Sequence, residues 1–300
     1  MLAEMPKEIH HLSGEEIERK KAIGSIATKT LSYLTQAFVS RGFNWLLPVV
    51  LSRVTDPLWP DPQASIEKRV EVEIYGREVR AMQSMIVHKI TACSLLYDRL
   101  FTLSPNIRIE RRDRAATGIH SYEFTQLDFE VRHASSRDIM NMVEDLLCGL
   151  ITHLRVEAKE ELKLLDRDLS VPERPFHIYE VTGNEKEFCW VVNMPREFYD
   201  FEDFDTGKWD NYDLYLPGFG EVLSGSRREY EYHKIIHKME RDGVRKESYK
   251  APLELAKSGR IKPTAGAGIG IERLIAWICG SKHVCEVQPF PRIPGFVGEL

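Results

Sequence analysis

Four groups of residues have types and spacings that could do chemistry. The first is Arg108-Ile-Glu110, followed after a polar loop (Arg111–Gly118) by His120 and then by Phe124, Gln126, Asp128 and Glu130 at alternate positions. Extended backbone sends alternate side chains to one face, so Arg108 would stand beside Glu110, and the ring, the amide and the two carboxylates would share a face. So much polarity on one face suits a pocket for a polar ligand. The plainer alternative is a solvated sheet face laced by cross-strand ion pairs. The second group is Pro217-Gly-Phe-Gly-Glu221-Val-Leu-Ser224-Gly225-Ser-Arg227-Arg228. Glu221 and Ser224 offer hard oxygens suited to Mg²⁺, Gly225 leaves backbone room, and Arg228 has the planar fork that grips a carboxylate. The alternative is a polar turn before a helix, with Ser226 as its N-cap. The third pairs Ser84 with Lys89 across a strand-to-helix junction, where the bland reading is a surface lysine. The fourth is Gly266-Ala-Gly268-Ile-Gly270-Ile-Glu-Arg273: glycines at period two make a strand with one bare face, and Arg273 stands where a helix begins, able to stack on a base or hold a phosphate.

These residues need elements to position them. Ser13-Gly-Glu-Glu16 is a capping-box pattern opening a long helix, with Ile17, Ile23, Ile26, Leu31, Leu34 and Phe38 on its apolar face and Gly42 at its end. Residues 55–65 form a Pro- and Asp-rich loop. Strands are predicted within Glu71–Ser84 and a helix over Ile86–Tyr97. Alternating runs at Arg99–Leu103, Ile107–Arg112 and Tyr122–His133 predict antiparallel strands, and Ile139–Leu165 predicts one amphipathic helix. Further strands are predicted at Phe176–Val181, Glu187–Asn193 and Asp213–Leu216, and helices at Arg228–Met239 and Pro252–Ser258 before the glycine strand and a terminal helix. Strand runs interrupted by long helices, without βαβ alternation, point to an α+β fold with an antiparallel sheet. No linker divides it, so residues 1–300 read as a single domain.

Composition narrows the class. With 300 residues and 43% hydrophobic content the chain can bury a large core. A net charge of −5 argues against nucleic-acid binding through bulk charge, though not against a local basic site. The five cysteines (Cys93, Cys148, Cys189, Cys279, Cys285) lack CxxC spacing, which fits buried thiols in a reduced, cytoplasmic protein. No apolar run is long enough to span a bilayer, so no membrane is expected. His233 and His237 have the i,i+4 spacing of a zinc pair but no third ligand nearby; the residues Asp200–Asp210 read as an acidic surface loop or lid, and His283-Val-Cys285 as packing.

In their order along the chain these residues resemble the catalytic domain of class II aminoacyl-tRNA synthetases, in the aspartyl/asparaginyl branch. Phe43-Asn-Trp-Leu-Leu-Pro48 is similar to the first family motif, at the dimer interface; Arg108 to Phe124 resembles the second and Gly266 to Arg273 the third. Pro217-Gly-Phe-Gly-Glu221 and Pro289-Phe-Pro-Arg-Ile-Pro resemble the asparaginyl branch. The resemblance implies a class II synthetase-like antiparallel sheet flanked by helices, and a homodimer. It implies ATP and Mg²⁺ as cofactors. Arg108 would hold the α-phosphate, Phe124 and Arg273 would sandwich the adenine beside Gly270, Glu110 would read its amino group and His120 would approach the outer phosphates. Glu221, Ser224 and Asp213 would hold Mg²⁺; Arg108, Arg273 and Glu221 would carry catalysis. Ser84, Lys89, Gln126, Asp128, Gly225 and Arg228 would bind the amino acid. Lys89 and Asp128 resemble the aspartyl enzymes, and two cations facing one site suit L-aspartate.

The chain also departs from the family. About 40 residues precede the first motif and read as one helix, where the branch carries an anticodon-binding barrel. Asp56-Pro-Leu-Trp-Pro-Asp61-Pro stands in place of a Glu-Gly-Ala loop that closes on the substrate ammonium, and Thr117-Gly-Ile-His120 replaces Thr-x-Arg-His. Nucleotide and aspartate residues persist while RNA-facing parts change. One family outcome of such a loss is the archaeal-type ammonia-dependent asparagine synthetase related to asparaginyl-tRNA synthetase. The expectation is therefore ATP, L-aspartate and ammonia converted to asparagine, AMP and pyrophosphate through β-aspartyl-adenylate, with no tRNA partner. The alternatives are a truncated synthetase that aminoacylates or modifies an RNA, for which a basic face near Arg111, Arg112 and Arg114 would speak, and a non-catalytic regulator that senses aspartate or ATP.

Overall fold

A computed structural model describes residues 6–58, 66–180 and 186–300. Most of the loop predicted at 55–65 and the end of the strand predicted at Phe176–Val181 thus lie outside the described residues. Among those described, eight strands form the central sheet: β1 (Asn44–Trp45), β2 (Arg99–Ile107), β3 (Glu123–Arg132), β4 (His177–Tyr179), β5 (Cys189–Val192), β6 (Asn211–Leu216), β7 (Gly220–Arg227) and β8 (Thr264–Gly270). They lie in the order β1-β2-β3-β8-β7-β6-β5-β4. The central six are antiparallel, as expected, while each edge pair, β1 with β2 and β5 with β4, is parallel.

Helices flank both faces: α1 (Gly14–Ser40), α2 (Ile86–Leu95), α3 (Ser136–Glu157), α4 (Lys159–Leu164), α5 (Tyr232–Arg241), α6 (Lys250–Lys257) and α7 (Ile271–Cys279). The α1 capping box forms as the sequence predicts: Glu16 N–H donates to the Ser13 hydroxyl and Ser13 N–H to the Glu16 carboxylate. Its buried stripe runs through Ile23, Ile26, Leu34 and Phe38, and Ile17, 38% exposed, falls off that stripe. The Phe38 ring lies 4.9 Å from Phe43 and 5.1 Å from both Phe101 and Phe129, so a cluster of rings ties helix to sheet. Such contacts add roughly 0.5–1.5 kcal/mol beyond area burial.

Alternation along β3 and β8 divides the sheet into two faces. Leu127 and Phe129 join Ala265, Ala267 and Ile269 in the main core, under α1 and α3. The opposite face carries Gln126, Asp128 and Glu130. There the registers are Gly270 to Gln126, Gly268 to Asp128 and Gly266 to Glu130. A Cβ at Gly266 would collide with the Glu130 carboxylate, and one at Gly268 would stand 3.0 Å from both Asp128 Oδ1 and Gln126 Nε2. The bare face of the glycine strand is thus filled, over Gly266 and Gly268, by polar side chains of its own neighbour rather than by a ligand. A second core, built from Ile86, Val87 and Ile90 of α2, Phe198, Tyr199, and Ile235 and Met239 of α5, stands across this polar face.

Several predicted boundaries shift. The glycine-rich stretch after Pro217 is strand β7, not a turn; Ser226 is fully buried in it rather than capping a helix, and α5 starts at Tyr232 instead of Arg228. Its small residues concealed a strand whose alternation is broken by a register shift against β6. The runs Arg99–Leu103 and Ile107–Arg112 are two strands with different bounds. β2 is continuous through Pro105, Glu110 lies in a two-residue strand, and Arg112–Thr117 is a 3-10 turn. The helix predicted over Ile139–Leu165 breaks at Ala158 into α3 and α4. Trp45 and Leu47, in the segment read as a dimer contact, are 52% and 82% exposed. No described helix is long and apolar enough to cross a membrane.

Candidate active site

A cavity of about 310 Å³ lies between the polar sheet face, α2 and the segment Arg196–Asp200. It gathers residues from all four sequence groups: Ser84 and Lys89; Arg108, Glu110, His120, Phe124, Gln126 and Asp128; Glu221, Ser224, Gly225 and Arg228; Gly270 and Arg273. Of the expected site residues only Asp213 is not on its wall.

One end is rich in guanidinium groups. Arg108 donates Nε to the Gln83 carbonyl at 3.0 Å, and its cationic carbon stands 5.2 Å from the Phe124 ring centroid. That ring was expected to face Arg273 across an adenine; here Arg108 covers it. Arg273 donates Nε to the Ile119 carbonyl and Nη1 to Glu221, both its carbonyl and Oε1. Arg114 reaches Glu110 at 3.5 Å and donates Nη1 to His120 Nε2 at 2.9 Å. His120 therefore accepts from Arg114, and its Nδ1–H donates to the Thr117 hydroxyl at 2.6 Å. Burial, with Arg273, Arg114 and Arg108 nearby, pulls its pKa down to about 3. A neutral His120 is no cation for outer phosphates. Arg114, whose loop is closed by Gly118 at φ +78°, is the cation beside it on the cavity wall; a Cβ at Gly118 would meet the Lys282 carbonyl at 2.6 Å. Burial raises the carboxyls of Glu110 and Glu272, the latter despite accepting the Thr125 N–H on both oxygens at 3.0 Å.

The other end holds the expected amino-acid residues, and its cations are already engaged. Lys89 is 1% exposed, not a surface lysine, and donates to Asp128 Oδ1 at 2.8 Å and the Ala267 carbonyl at 2.9 Å. Arg228 donates Nε to Glu130 at 3.1 Å, Nη1 to Asp200 at 2.6 Å and to Ser226 at 2.7 Å, and Nη2 to Glu130 at 3.4 Å and to the Gly266 carbonyl at 2.9 Å. A guanidinium has five N–H groups, so none is left over. Lys89 and Arg228 both line the cavity, and each is also bonded to carboxylates of the fold. Asp200 is 5% exposed and belongs to this wall, so the acidic run from Asp200 is not purely a surface loop. Ser84 is buried and accepts the Ile86 N–H at 3.2 Å, starting α2.

The hard oxygens expected to hold Mg²⁺ are close together. Asp213 is 2% exposed; Arg196 bonds its Oδ2, and its Oδ1 has no partner. Burial, reinforced by Glu221, pushes its pKa up to about 7. Among the described residues no three His, Cys, Asp or Glu side chains form a ready metal cage. That suits Mg²⁺, which usually takes one or two carboxylates and completes its shell with water and phosphate oxygens. Glu221 and the orphaned Asp213 oxygen fit such a role. His233 is exposed and pairs with Glu231, and His237 packs on Phe204, so they form no zinc pair here.

Arg114, Arg196, Glu197, Asp56, Asp200 and Glu272 were missed as cavity residues. The run Met194-Pro-Arg-Glu-Phe-Tyr-Asp200 gave one usable signal, charged residues flanking a Phe-Tyr pair that had to be buried.

An antiparallel six-strand core with a nucleotide-sized, arginine-rich cavity on its polar face defines a class II synthetase-type enzyme. The sequence bears this out: residues 19–294 match the family described as tRNA synthetases class II (D, K and N), and the chain belongs to it. The family is one of ATP-using ligases, which places the chain among enzymes. Similar proteins include the asparagine–tRNA ligase of Koribacter versatilis, 27% identical over 92% of this chain and 69% of that protein. The asparagine–tRNA ligase of Clostridium botulinum is 30% identical over 81% of this chain and 61% of its own length. The aspartate–tRNA(Asp/Asn) ligase of Methanopyrus kandleri is 28% identical over 74% of this chain and 57% of its own length. The chain thus spans about half to two thirds of these relatives. Among solved structures, asparaginyl-tRNA synthetase of Pyrococcus horikoshii, complexed with asparaginyl-adenylate, superposes with a TM-score of 0.81 at 23% identity, over 93% of this chain and 70% of that one. That likeness establishes the fold.

These findings overturn the expectation of an ammonia-dependent asparagine synthetase with no tRNA partner. The relatives compared above are named as tRNA ligases for asparagine and aspartate.

Proposed function

We propose that the chain is an AMP-forming ligase that activates an α-amino acid with ATP and passes it to an RNA, residues 1–300 acting as one catalytic domain. The observation that carries this reading is the convergence of Arg108, Arg114 and Arg273 on one end of the cavity, beside Phe124 and Glu110. Such an end is suited to a purine and its phosphates, while the other end, with Asp128, is suited to an ammonium.

In the first step an oxygen of the amino-acid carboxylate attacks the α-phosphorus. The bond from that phosphorus to the bridging oxygen breaks, and pyrophosphate leaves with the electron pair. In the second step a ribose hydroxyl at the RNA 3′ end attacks the acyl carbon, loses its proton, and AMP departs. Neither step needs a nucleophile from the protein. Arg108 and Arg273 act by holding the α-phosphate and stabilising charge as it grows there. Gly270 allows the nucleotide close to the backbone, and Glu110 accepts from the base. Ser84, Gln126, Asp128 and Gly225 line the amino-acid end. Glu221 with Asp213, and Ser224 beside them, would hold Mg²⁺, which supplies charge neutralisation when bound.

The test is RNA charging: the full chain with ATP, Mg²⁺, total tRNA and labelled amino acids, scored as acid-precipitable label. Label that is lost when the RNA 3′ end is first oxidised with periodate supports the reading. Adenylate formation with no RNA-dependent turnover would overturn the second step.

A further inference from the structure

Arg114 reaches the nucleotide end of the cavity from a segment that belongs to no strand. Residues Arg112–Thr117 form a short 3-10 turn, and Gly118 ends it in the left-handed region. Two internal bonds shape this turn without placing it: Arg114 N–H donates to the Arg111 carbonyl, and the Thr117 hydroxyl donates to the Arg114 carbonyl. Among the described residues, three hydrogen bonds reach residues 111–120 from outside. Arg273 donates to the Ile119 carbonyl at 3.0 Å. The other two come from one segment just after α7: His283 donates Nε2–H to the Ala115 carbonyl at 2.9 Å, and Val284 N–H donates to the Gly118 carbonyl at 2.8 Å. The exposed pair of Arg112 with Glu67, at 3.9 Å, adds little.

His283, whose sequence context reads only as packing, is buried and tied at both ring nitrogens. Its Nδ1 accepts the Cys285 N–H at 3.1 Å, which leaves the ring proton on Nε2, where the Ala115 carbonyl takes it. The segment that carries it is fastened in turn to α1. Lys20 gives all three ammonium N–H groups to main-chain carbonyls: Cys285 at 3.2 Å, Glu286 at 2.9 Å and Gln288 at 2.7 Å. A half-buried ammonium spent on three carbonyls fixes backbone. Gln288 extends the brace, donating Nε2 to the Ser121 hydroxyl at 3.3 Å and accepting the Arg292 N–H at 3.0 Å, while the Arg292 carbonyl accepts the Tyr122 N–H at 2.8 Å. Neither His283 nor Lys20 lies on the cavity wall.

We propose that His283 is a positioning residue for Arg114: its bond to the Ala115 carbonyl sets the turn where Arg114 meets Glu110 and His120, and Lys20 of α1 holds the segment that carries His283. The inference rests on the reading of this end as a nucleotide site and deepens it. Arg114 commits Nη1 to His120 and pairs Nε with Glu110, while its Nη2 has no hydrogen-bond partner among the described residues. A donor on a turn with few ties of its own serves a phosphate only when the turn is fixed before the ligand arrives. The His283 ring fixes it without touching the ligand.

The experiment is calorimetric binding of ATP with Mg²⁺ to the full chain and its variants, with pyrophosphate exchange measured beside it using the standard amino acids. His283→Asn keeps an acceptor near the Cys285 N–H but is too short to donate to Ala115, whereas His283→Gln carries an N–H to about where Nε2 stands. The expected result is ATP binding weakened about 10-fold or more in His283→Asn, restored to within about 3-fold in His283→Gln, and weakened in the same direction in Lys20→Met, with KM for the amino acid unchanged. Because His283 acts through Arg114, His283→Asn combined with Arg114→Ala should bind ATP no more weakly than Arg114→Ala alone. Unchanged affinity in folded His283→Asn or in Arg114→Ala, or losses that multiply in the double variant, overturns the proposal and leaves amino-acid activation standing. A wild type that binds ATP but exchanges pyrophosphate with no standard amino acid overturns activation and leaves the ATP comparison intact; a wild type that binds no ATP overturns both. Thermal melting checks that each variant folds, and if His283→Asn does not, Lys20→Met carries the same comparison with Arg114→Ala.

Discussion

The two ends of the cavity are mirror images in their hydrogen-bonding inventory. At the nucleotide end the guanidinium groups keep donors in reserve: Arg108 commits only Nε to protein, and Arg273 commits Nε and Nη1. At the amino-acid end Arg228 has every N–H engaged, and Asp128 Oδ2 is an acceptor in reserve. The nucleotide end therefore offers donors suited to anions, and the Asp128 oxygen at the other end offers an acceptor suited to an ammonium. The same residue type, arginine, keeps N–H donors uncommitted in one place and has all of them bonded in the other. What separates them is how many carboxylates the neighbouring strands bring within reach.

That contrast can be broken by substitution. The largest effect belongs to Arg108→Ala, which removes a donor held for the ligand: pyrophosphate exchange should fall about 10³-fold while the melting temperature changes little. Exchange within a few-fold of wild type would show that Arg108 is not at the reacting phosphate. Lys89→Met should do the opposite. It strands Asp128 in a buried site and should cost about 3–5 kcal/mol in urea denaturation, because an unpaired buried charge is left behind; a change below about 1 kcal/mol would mean that water reaches the pair. Gly266→Ala comes next, at about 1–3 kcal/mol, since the Glu130 carboxylate that holds Arg228 must move.

A smaller effect sharpens the comparison through pH. The pKa of His120 lies near 3 in the folded chain, below the 6.5 of a free imidazole. A depressed folded value means stability present above pH 6.5 and lost as pH falls from there toward 3. His120→Asn should flatten the melting temperature across that interval, and ATP binding should show no histidine titration near neutrality. A binding step near pH 6.5 that disappears in the variant would restore His120 as a phosphate ligand.

Much of this was legible in the chain. The glycine alternation at 266–270 and the polar alternation at Gln126, Asp128 and Glu130 could each be read, because strand periodicity is local. That the two would be register partners could not, since pairing across more than 130 residues leaves no local mark. β7 has no strand signature in the sequence because glycine and serine conceal a strand whose register slips. Arg228 and Lys89 were found as charged groups near the site, yet whether a cation is free depends on neighbours such as Asp200, supplied by a distant segment. Residue identity showed where charge would be; only the packing showed which charge was left over.

The central claim, that a carboxylate attacks the α-phosphate in this cavity, is tested most directly by isotope transfer. The chain is given ATP, Mg²⁺ and its amino acid labelled with oxygen-18 in the α-carboxylate, with hydroxylamine to trap the acyl group. The account predicts AMP carrying oxygen-18 from the carboxylate, together with the amino-acid hydroxamate. Unlabelled AMP, or ADP with the label in inorganic phosphate, would contradict it.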